Sequence, residues 1–304
     1  MTKKILVIGG AGFIESHVCE KQRFINTFKK RYKSIKKRYS INTLKLHIIN
    51  YRYKQIRKKL KNKIECGKKV NVLFFITQKQ LWCVQSLYDE LSQNPHFNPL
   101  VVAFPNGEDK VHDLKFTCNE NYVFFNQRNM NVIYGFDTKR SRYVEAKDLN
   151  PDIVFYDQPY PWLPKSLLFD SISKIALICY VPYGYKIANS YQAHFNMELQ
   201  NKSWHVFAES DWHKQQFEKF GKVAGKNVVV SGYPKLDTYI RKDINNSILP
   251  PKFNKLLNKK KIIWAPHWSI NDGFIGYSTF DKYYEDFLKC TIKYSDVDFI
   301  FKPH

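Results

Sequence analysis

Three glycines, Gly9, Gly10 and Gly12, follow the apolar run Ile5 to Ile8 in the opening stretch MTKKILVIGGAGFIESHVCEK. Glycines so placed between a strand and a helix let backbone N–H groups approach a pyrophosphate, so the chemistry they offer is dinucleotide binding. Two features oppose it. Glu15 stands where a small residue allows close helix–strand packing, and it sets a negative charge beside the phosphates. An acid that holds the ribose is expected about 20 residues on, yet the chain has no acid between Glu20 and Glu65. The Tyr-x-x-x-Lys spacing of Tyr32 and Lys36 falls in a run rich in both types and marks no catalytic pair. NAD is not expected to bind, and no cofactor is expected.

A second set of chemistry-bearing residues follows short apolar runs further along: PYGYK (182–186), AESDWH (208–213) and GYPKLD (232–237). They hold Tyr183, Gly184, Lys186, Lys235 and Asp237. His267 and Ser269 follow the run IIWAP, and Lys302 and His304 end the run FIFKPH. Cations and hydrogen-bonding groups at strand ends suit phosphate chemistry. His194, His205 and His213 are candidates by neighbourhood only, and His267 is the better placed histidine because it ends a strand. The six cysteines, at 19, 66, 83, 118, 179 and 290, form no Cys-x-x-Cys pair and no cluster with histidine. That argues against a disulfide framework or a structural zinc, and no metal is expected.

The elements that must position these groups begin after Gly67. VNVLFFI, FNPLVVAFP, PDIVFYDQPYP, KIALICYVPYG, WHVFAES and NVVVSGYP are short β-rich runs separated by helical stretches, the pattern of a parallel, doubly wound α/β sheet. A polar linker (241–261) leads to a further strand, helix and strand, IIWAP through VDFIFKPH. One strand–helix–strand cannot close a core of its own, so a second domain is expected to be truncated and the chain catalytically silent by itself.

The basic segment before Gly67 sets the charge. The 304 residues carry a net +22, with 17 Lys and Arg and no acid between Lys21 and Ile64. Phe24, Phe28, Tyr32, Ile35 and Tyr39, continued by Leu44, Ile48, Tyr51, Ile56 and Leu60, make an apolar stripe at helical spacing. The readings are an amphipathic helix on an anionic membrane, a solvated helical linker, or a phosphate-binding nucleic-acid element. No run approaches the ~18 apolar residues of a membrane span, and no small-residue cleavage site follows Ile5 to Ile14. The expectation is a soluble or peripheral protein that is not secreted.

Two resemblances stand on these residues. Residues 1–21 resemble the opening of extended short-chain dehydrogenases, the nucleotide-sugar epimerases, over that stretch alone. Residues 68–304 resemble the CDP-glycerol glycerophosphotransferase family of teichoic-acid and capsule polymerases, on four ordered elements: YVPYGYK (180–186), SGYPKLD (231–237), IIWAPHWS (262–269) and FIFKPH (299–304). The second resemblance implies a GT-B-like α/β chain, with a Rossmann-like doubly wound N-terminal domain and the start of a second Rossmann-like domain. The division would be an epimerase-like fragment (1–21), a basic helical segment (22–67), an acceptor-side domain (68–245) and an incomplete nucleotide-binding domain (259–304).

It also implies attack by an acceptor hydroxyl on CDP-glycerol, or a related CDP-polyol, with release of CMP. Catalytic positions would be His267, Tyr183 and His304, and substrate-binding positions Gly184, Lys186, Lys235, Asp237, Ser269 and Lys302. Tyr183 stands in the place of the family's proposed histidine base, and a phenol with a reference pKa near 10 is a poor base at neutral pH. Ser269 stands where the family commonly has an arginine. The implied partners are a CDP-linked donor, a lipid-linked polymer or glycan acceptor and an anionic membrane surface, without nucleic acid. The implied place is the cytoplasm, peripheral at the inner face of the plasma membrane. The alternatives are an NAD-dependent nucleotide-sugar epimerase or dehydratase, and a non-catalytic membrane-associated remnant.

Overall fold

The structure, a computed structural model, describes residues 6–7, 43–106, 114–187, 190–240, 259–267, 269 and 278–302. Gly9, Gly10, Gly12, Glu15, the first half of the basic segment, most of the 241–261 linker and His304 lie outside the described residues. The chain divides into a large unit, Ser40–Lys242, and a small unit made of Met1–Tyr39 with Asp243–His304.

The large unit is built on a seven-stranded sheet ordered β10-β9-β8-β7-β2-β3-β4. The strands are β2 (Val70–Ile76), β3 (Phe97–Ala103), β4 (Val132–Tyr134), β7 (Ile153–Tyr156), β8 (Leu177–Tyr180), β9 (His205–Ala208) and β10 (Val228–Val230). All the pairings are parallel. The chain starts in the middle at β2, steps outward to β3 and β4, returns to β7 beside β2, then steps outward the other way. This is the doubly wound, Rossmann-like order, and it puts a switch point between β2 and β7. The expected α/β fold class is met. Strands such as Val70–Ile76 are almost continuously apolar because elements cover both faces of a parallel sheet. A short antiparallel pair, β5 (Phe136–Asp137) and β6 (Arg142–Tyr143), follows β4.

Helix α1 (Thr43–Glu65) belongs to this unit. Ile49, Tyr53, Ile56 and Leu60, at spacings of four, three and four, are buried in the core, and the helix packs on β2 and β8. The Tyr53 hydroxyl donates to the Lys202 carbonyl at 2.7 Å, Lys63 pairs with Asp152, and the Arg57 guanidinium lies over the Trp204 ring. Gly67, at φ 68°, ends the helix, with its N–H bonded to Ile64 O at 2.9 Å and that of Lys68 to Lys63 O. This differs from the expected stripe. Ile56 and Leu60 of that stripe are on the packed face, but Ile48 and Tyr51 are exposed (41% and 64%), and Ile49 and Tyr53 take the buried positions in the first half of the helix. Residues 43–65 are thus a core helix, and the large unit begins before residue 68.

The remaining helices of the sheet crossovers are α2 (Gln85–Gln93), α3 (Leu114–Asn126), α4 (Phe169–Ile172), α5 (Tyr191–Phe195), α6 (Glu198–Lys202) and α7 (Asp211–Phe220), with α8 (Asp237–Ile240) after β10. Aromatic rings carry much of the core. Phe74 stacks on Phe155 with centroids 5.1 Å apart, and Trp82 meets Phe125 edge-on at 5.0 Å.

The small unit holds a three-stranded parallel sheet ordered β1-β12-β11, from β1 (Leu6–Val7), β11 (Lys260–Trp264) and β12 (Val297–Phe301), with α9 (Phe280–Lys293) between the last two. Leu6 pairs with Ile300 and Val7 with Phe301, so the strand of the opening fragment extends this sheet. The Trp264 ring packs among Phe280, Phe287 and Phe301, which makes it a core group of the small unit. Among the described residues no helix is long and apolar enough to cross a membrane.

Candidate functional site

Ligands of open parallel sheets sit beyond the carboxyl ends of the strands, at the switch point. Here β2 and β7 end in Thr77–Gln78 and Asp157–Gln158. One Asp157 oxygen accepts from the Thr77 N–H at 2.6 Å, the Thr77 hydroxyl at 2.9 Å and the Gln78 N–H at 3.0 Å. Burial nonetheless pushes the Asp157 carboxyl up to about 6, against those hydrogen bonds. Gln158 donates its amide to the Thr77 hydroxyl at 2.8 Å, and the buried Asn121 amide donates to Thr77 O and Phe104 O. A cavity of about 20 Å³ opens between Asp157, Cys83, Trp82, Phe74 and Ile76, enough for a single water.

Next to it, the Lys186 ammonium is bonded to Glu209 at 2.9 Å, with side chains 8% and 1% exposed. Burial lowers the lysine pKa and the Glu209 carboxylate opposes the shift. Aromatic rings of Phe195 and Phe217 face the same ammonium. His213 holds this arrangement from behind. Its Nε2 is 3.1 Å from the Lys186 carbonyl, which can only accept, so that nitrogen carries a proton, and its Nδ1 is 2.8 Å from the Ser210 hydroxyl oxygen. Ser210 also accepts the His213 backbone N–H at the start of α7.

Cys83 is the hub of the arrangement. Lys235, Asp157, Glu209 and Lys186 all lie within electrostatic reach of its thiol, which burial pushes up to about 12; the sulfur donates to Pro182 O at 3.7 Å. Burial raises the Tyr180 pKa well above its ordinary value, and Tyr183, Tyr160, Cys83 and Glu209 add to the shift. The loops after β8 and β10 are joined by the Tyr233 hydroxyl, which donates to the Tyr183 carbonyl at 2.9 Å. Gly232, at φ 84°, turns the chain off β10 toward Tyr233, a backbone state that disfavours other residues.

Of the residues singled out in the sequence, Tyr183, Gly184, Lys186 and Lys235 meet here. A Cβ on Gly184 would meet nothing within 4 Å, so that turn faces open space. Lys235 is exposed. Asp237 accepts from the Ser86 hydroxyl, which ties the start of α8 to α2. His205 stands at the opposite, amino-terminal end of β9 beside Trp204, and burial lowers its pKa. His194 lies on the short helix α5. The sequence reading marked the stretch AESDWH without singling out its Glu209, and it missed Asp157, Gln158 and Cys83, although the first two follow a strand that it had marked.

In the small unit, the His267 Nδ1 takes the Ser269 hydroxyl at 2.7 Å and the Ser269 N–H at 3.2 Å. Lys302 is exposed and donates its backbone N–H to Trp264 O at 2.9 Å. Because β11 and β12 run parallel, all three residues gather at the carboxyl edge of that sheet. Among the described residues no group of three or more His, Cys, Asp or Glu is placed to hold a metal ion.

No protein-family model matches the chain, and no curated protein matches it. Among solved structures, a UDP-N-acetylglucosamine 2-epimerase is similar at 15% identity with a TM-score of 0.42, over 76% of this chain and 63% of that one. The chain therefore matches less than two thirds of that protein's length.

Proposed function

We propose that the chain is a transferase of the CDP-glycerol glycerophosphotransferase type, acting on a CDP-polyol donor and a hydroxyl-bearing acceptor. The observation that carries this reading is the set of charged groups that follow neighbouring strands at the carboxyl edge of the large sheet: Asp157 after β7, Lys186 paired with Glu209 after β8 and β9, and Lys235 after β10. In the reaction an acceptor oxygen bonds to the glycerol-bearing phosphorus, the bond from that phosphorus to the bridging oxygen breaks, and CMP leaves with the electron pair. Cations must offset charge on the phosphates, and a base must take the hydroxyl proton. Lys235, exposed at this edge of the large unit, supplies a cation. The carboxylates of Asp157 and Glu209 are better bases than the Tyr183 phenol. Taken by itself, the small unit offers the His267–Ser269 pair and the exposed Lys302 at its own sheet edge as candidate phosphate-binding groups.

Calorimetry on the whole chain tests this. Saturable heat is expected with CDP-glycerol, weakened in Lys235→Ala and Lys302→Ala, and no saturable heat with NAD. A chain that gives no CDP-glycerol heat, or a micromolar NAD isotherm, overturns the reading.

The anionic membrane surface remains part of the proposal, in a changed form. The apolar face of α1 is engaged in the core, so only its outer face, with Lys54, Lys58 and Lys61 beside Ile48 and Tyr51, is exposed to meet lipid. Each such cation near an anionic surface is worth about 1 kcal/mol. Lys54→Glu with Lys58→Glu should weaken sedimentation with phosphatidylserine vesicles; unchanged sedimentation removes α1 from the account.

A further inference from the structure

The strand–helix–strand of β11, α9 and β12 is too little to stand by itself, and a third strand is the usual minimum for a stable sheet. That strand comes from far away in the sequence. β1 pairs in parallel with β12, Leu6 with Ile300 and Val7 with Phe301, and the seven-stranded sheet is ordered without it. β12 thereby becomes the central strand of its sheet, between β1 and β11. Phe299 and Ile300 on β12 are buried, 8% and 4% exposed, against 48% and 63% for Ile262 and Ile263 on the edge strand β11. Phe299 meets Phe287 of α9, and Phe301 meets Phe280, each at a centroid distance of 5.6 Å. Without β1, β12 would present an open row of N–H and C=O groups beside these rings.

From this we infer that β1 serves as a structural strand of the small unit, which folds only with it in place, and not as the first strand of a nucleotide-binding fingerprint. A fingerprint strand lies inside the sheet that it nucleates, whereas the large sheet is built outward from β2 and never includes β1. The pairing also reaches the candidate phosphate groups. Val7 lies against Phe301, the residue before Lys302, whose N–H is bonded to Trp264 O at 2.9 Å. β1 thus helps to hold Lys302 at the carboxyl edge that it shares with His267 and Ser269. The inference goes beyond the transferase reading and does not depend on it, since it concerns how the small unit holds together.

Two experiments on the whole chain test it. Leu6→Pro with Val7→Pro removes both N–H groups that β1 can offer to β12. Amide exchange in residues 297–301 should then quicken by about tenfold or more, while residues 153–156 and 177–180 of the large sheet keep their rates. Unchanged exchange in residues 297–301 overturns the inference, and so does an equal acceleration in the large sheet. In the second experiment Leu6→Cys with Ile300→Cys is oxidised. Facing Cα atoms on paired strands lie about 5 Å apart, within the span of a disulfide, so a bridge between positions 6 and 300 should form inside one chain. Peptide mapping reads the bridge, with each single variant as the control. No such bridge, or one found only between two chains, overturns the inference. Should the proline variant fail to fold, the cysteine pair decides alone.

Discussion

The Tyr233 hydroxyl donates to the Tyr183 carbonyl at 2.9 Å, and β9 lies between the strands from which the two residues emerge. One hydrogen bond thus fixes the loop after β8 to the loop after β10 across the mouth of the site. Tyr233→Phe should cost about 1 kcal/mol of stability. It should also speed proteolysis within residues 181–187, while the core strands keep their protection. Urea unfolding and limited proteolysis check both, and an unchanged cleavage rate would show that the loop is held by other contacts.

Lys186 and Glu209 are a buried pair, with side chains 8% and 1% exposed, so solvent screens a lone charge there poorly. Lys186→Met leaves the Glu209 carboxylate unpaired and should destabilise by about 3–5 kcal/mol. Adding Glu209→Leu removes the second charge and should recover most of that loss. Chemical denaturation of both variants measures it. A double variant no more stable than the single one would mean that packing, not charge, sets the cost.

Asp157 holds its proton more tightly folded than unfolded, about 6 against 3.8. The folded state then binds more protons between those values, so stability falls as pH rises through that window and is level above it. The difference amounts to at most about 3 kcal/mol. The stability gap between the native chain and Asp157→Asn should shift against the native chain from pH 4 to pH 6. Urea midpoints at half-unit intervals would show it, and parallel curves for the two proteins would count against a raised Asp157.

Helix α1 is predicted to behave as a core element. Ile56→Ala should cost about 2–5 kcal/mol, whereas Tyr51→Ala, on the exposed face, should stay within about 0.5 kcal/mol. Thermal and urea unfolding distinguish the two; similar small losses would detach the helix from the core.

Six of the seven strands of the large sheet were legible because parallel strands are apolar runs bounded by turns, and VNVLFFI and NVVVSGYP can be little else; the three-residue edge strand β4 is too short to give that signal. Helix α1 was legible as a helix, and its inner face only in the second half, at Ile56 and Leu60. Ile48 and Tyr51 on one side, and Ile49 and Tyr53 on the other, both keep helical spacing, and only the sheet beneath decides between them. The 17 cations drew the reading toward lipid. The opening strand was legible too, yet its partner was not, since Leu6 pairs with Ile300 at almost the full length of the chain. Tyr183, Gly184, Lys186 and Lys235 could be read from strand-end position. Asp157 and Glu209 occupy equivalent positions, one residue past β7 and β9, and the same rule applied strand by strand would have found them. Cys83 gives no such sign, because it joins the site only through the packing of its loop against Pro182.

The central claim is that substrate meets this chain at the carboxyl edge of the seven-stranded sheet. Amide hydrogen exchange on the whole chain, with and without sn-glycerol 3-phosphate as a small polyol-phosphate probe, tests it most directly. Slower exchange is predicted in residues 157–163, 181–187 and 231–237, with no change at the amino-terminal edge around Trp204 and His205. Unchanged exchange in those three loops, or protection confined to the amino-terminal edge, would contradict the account.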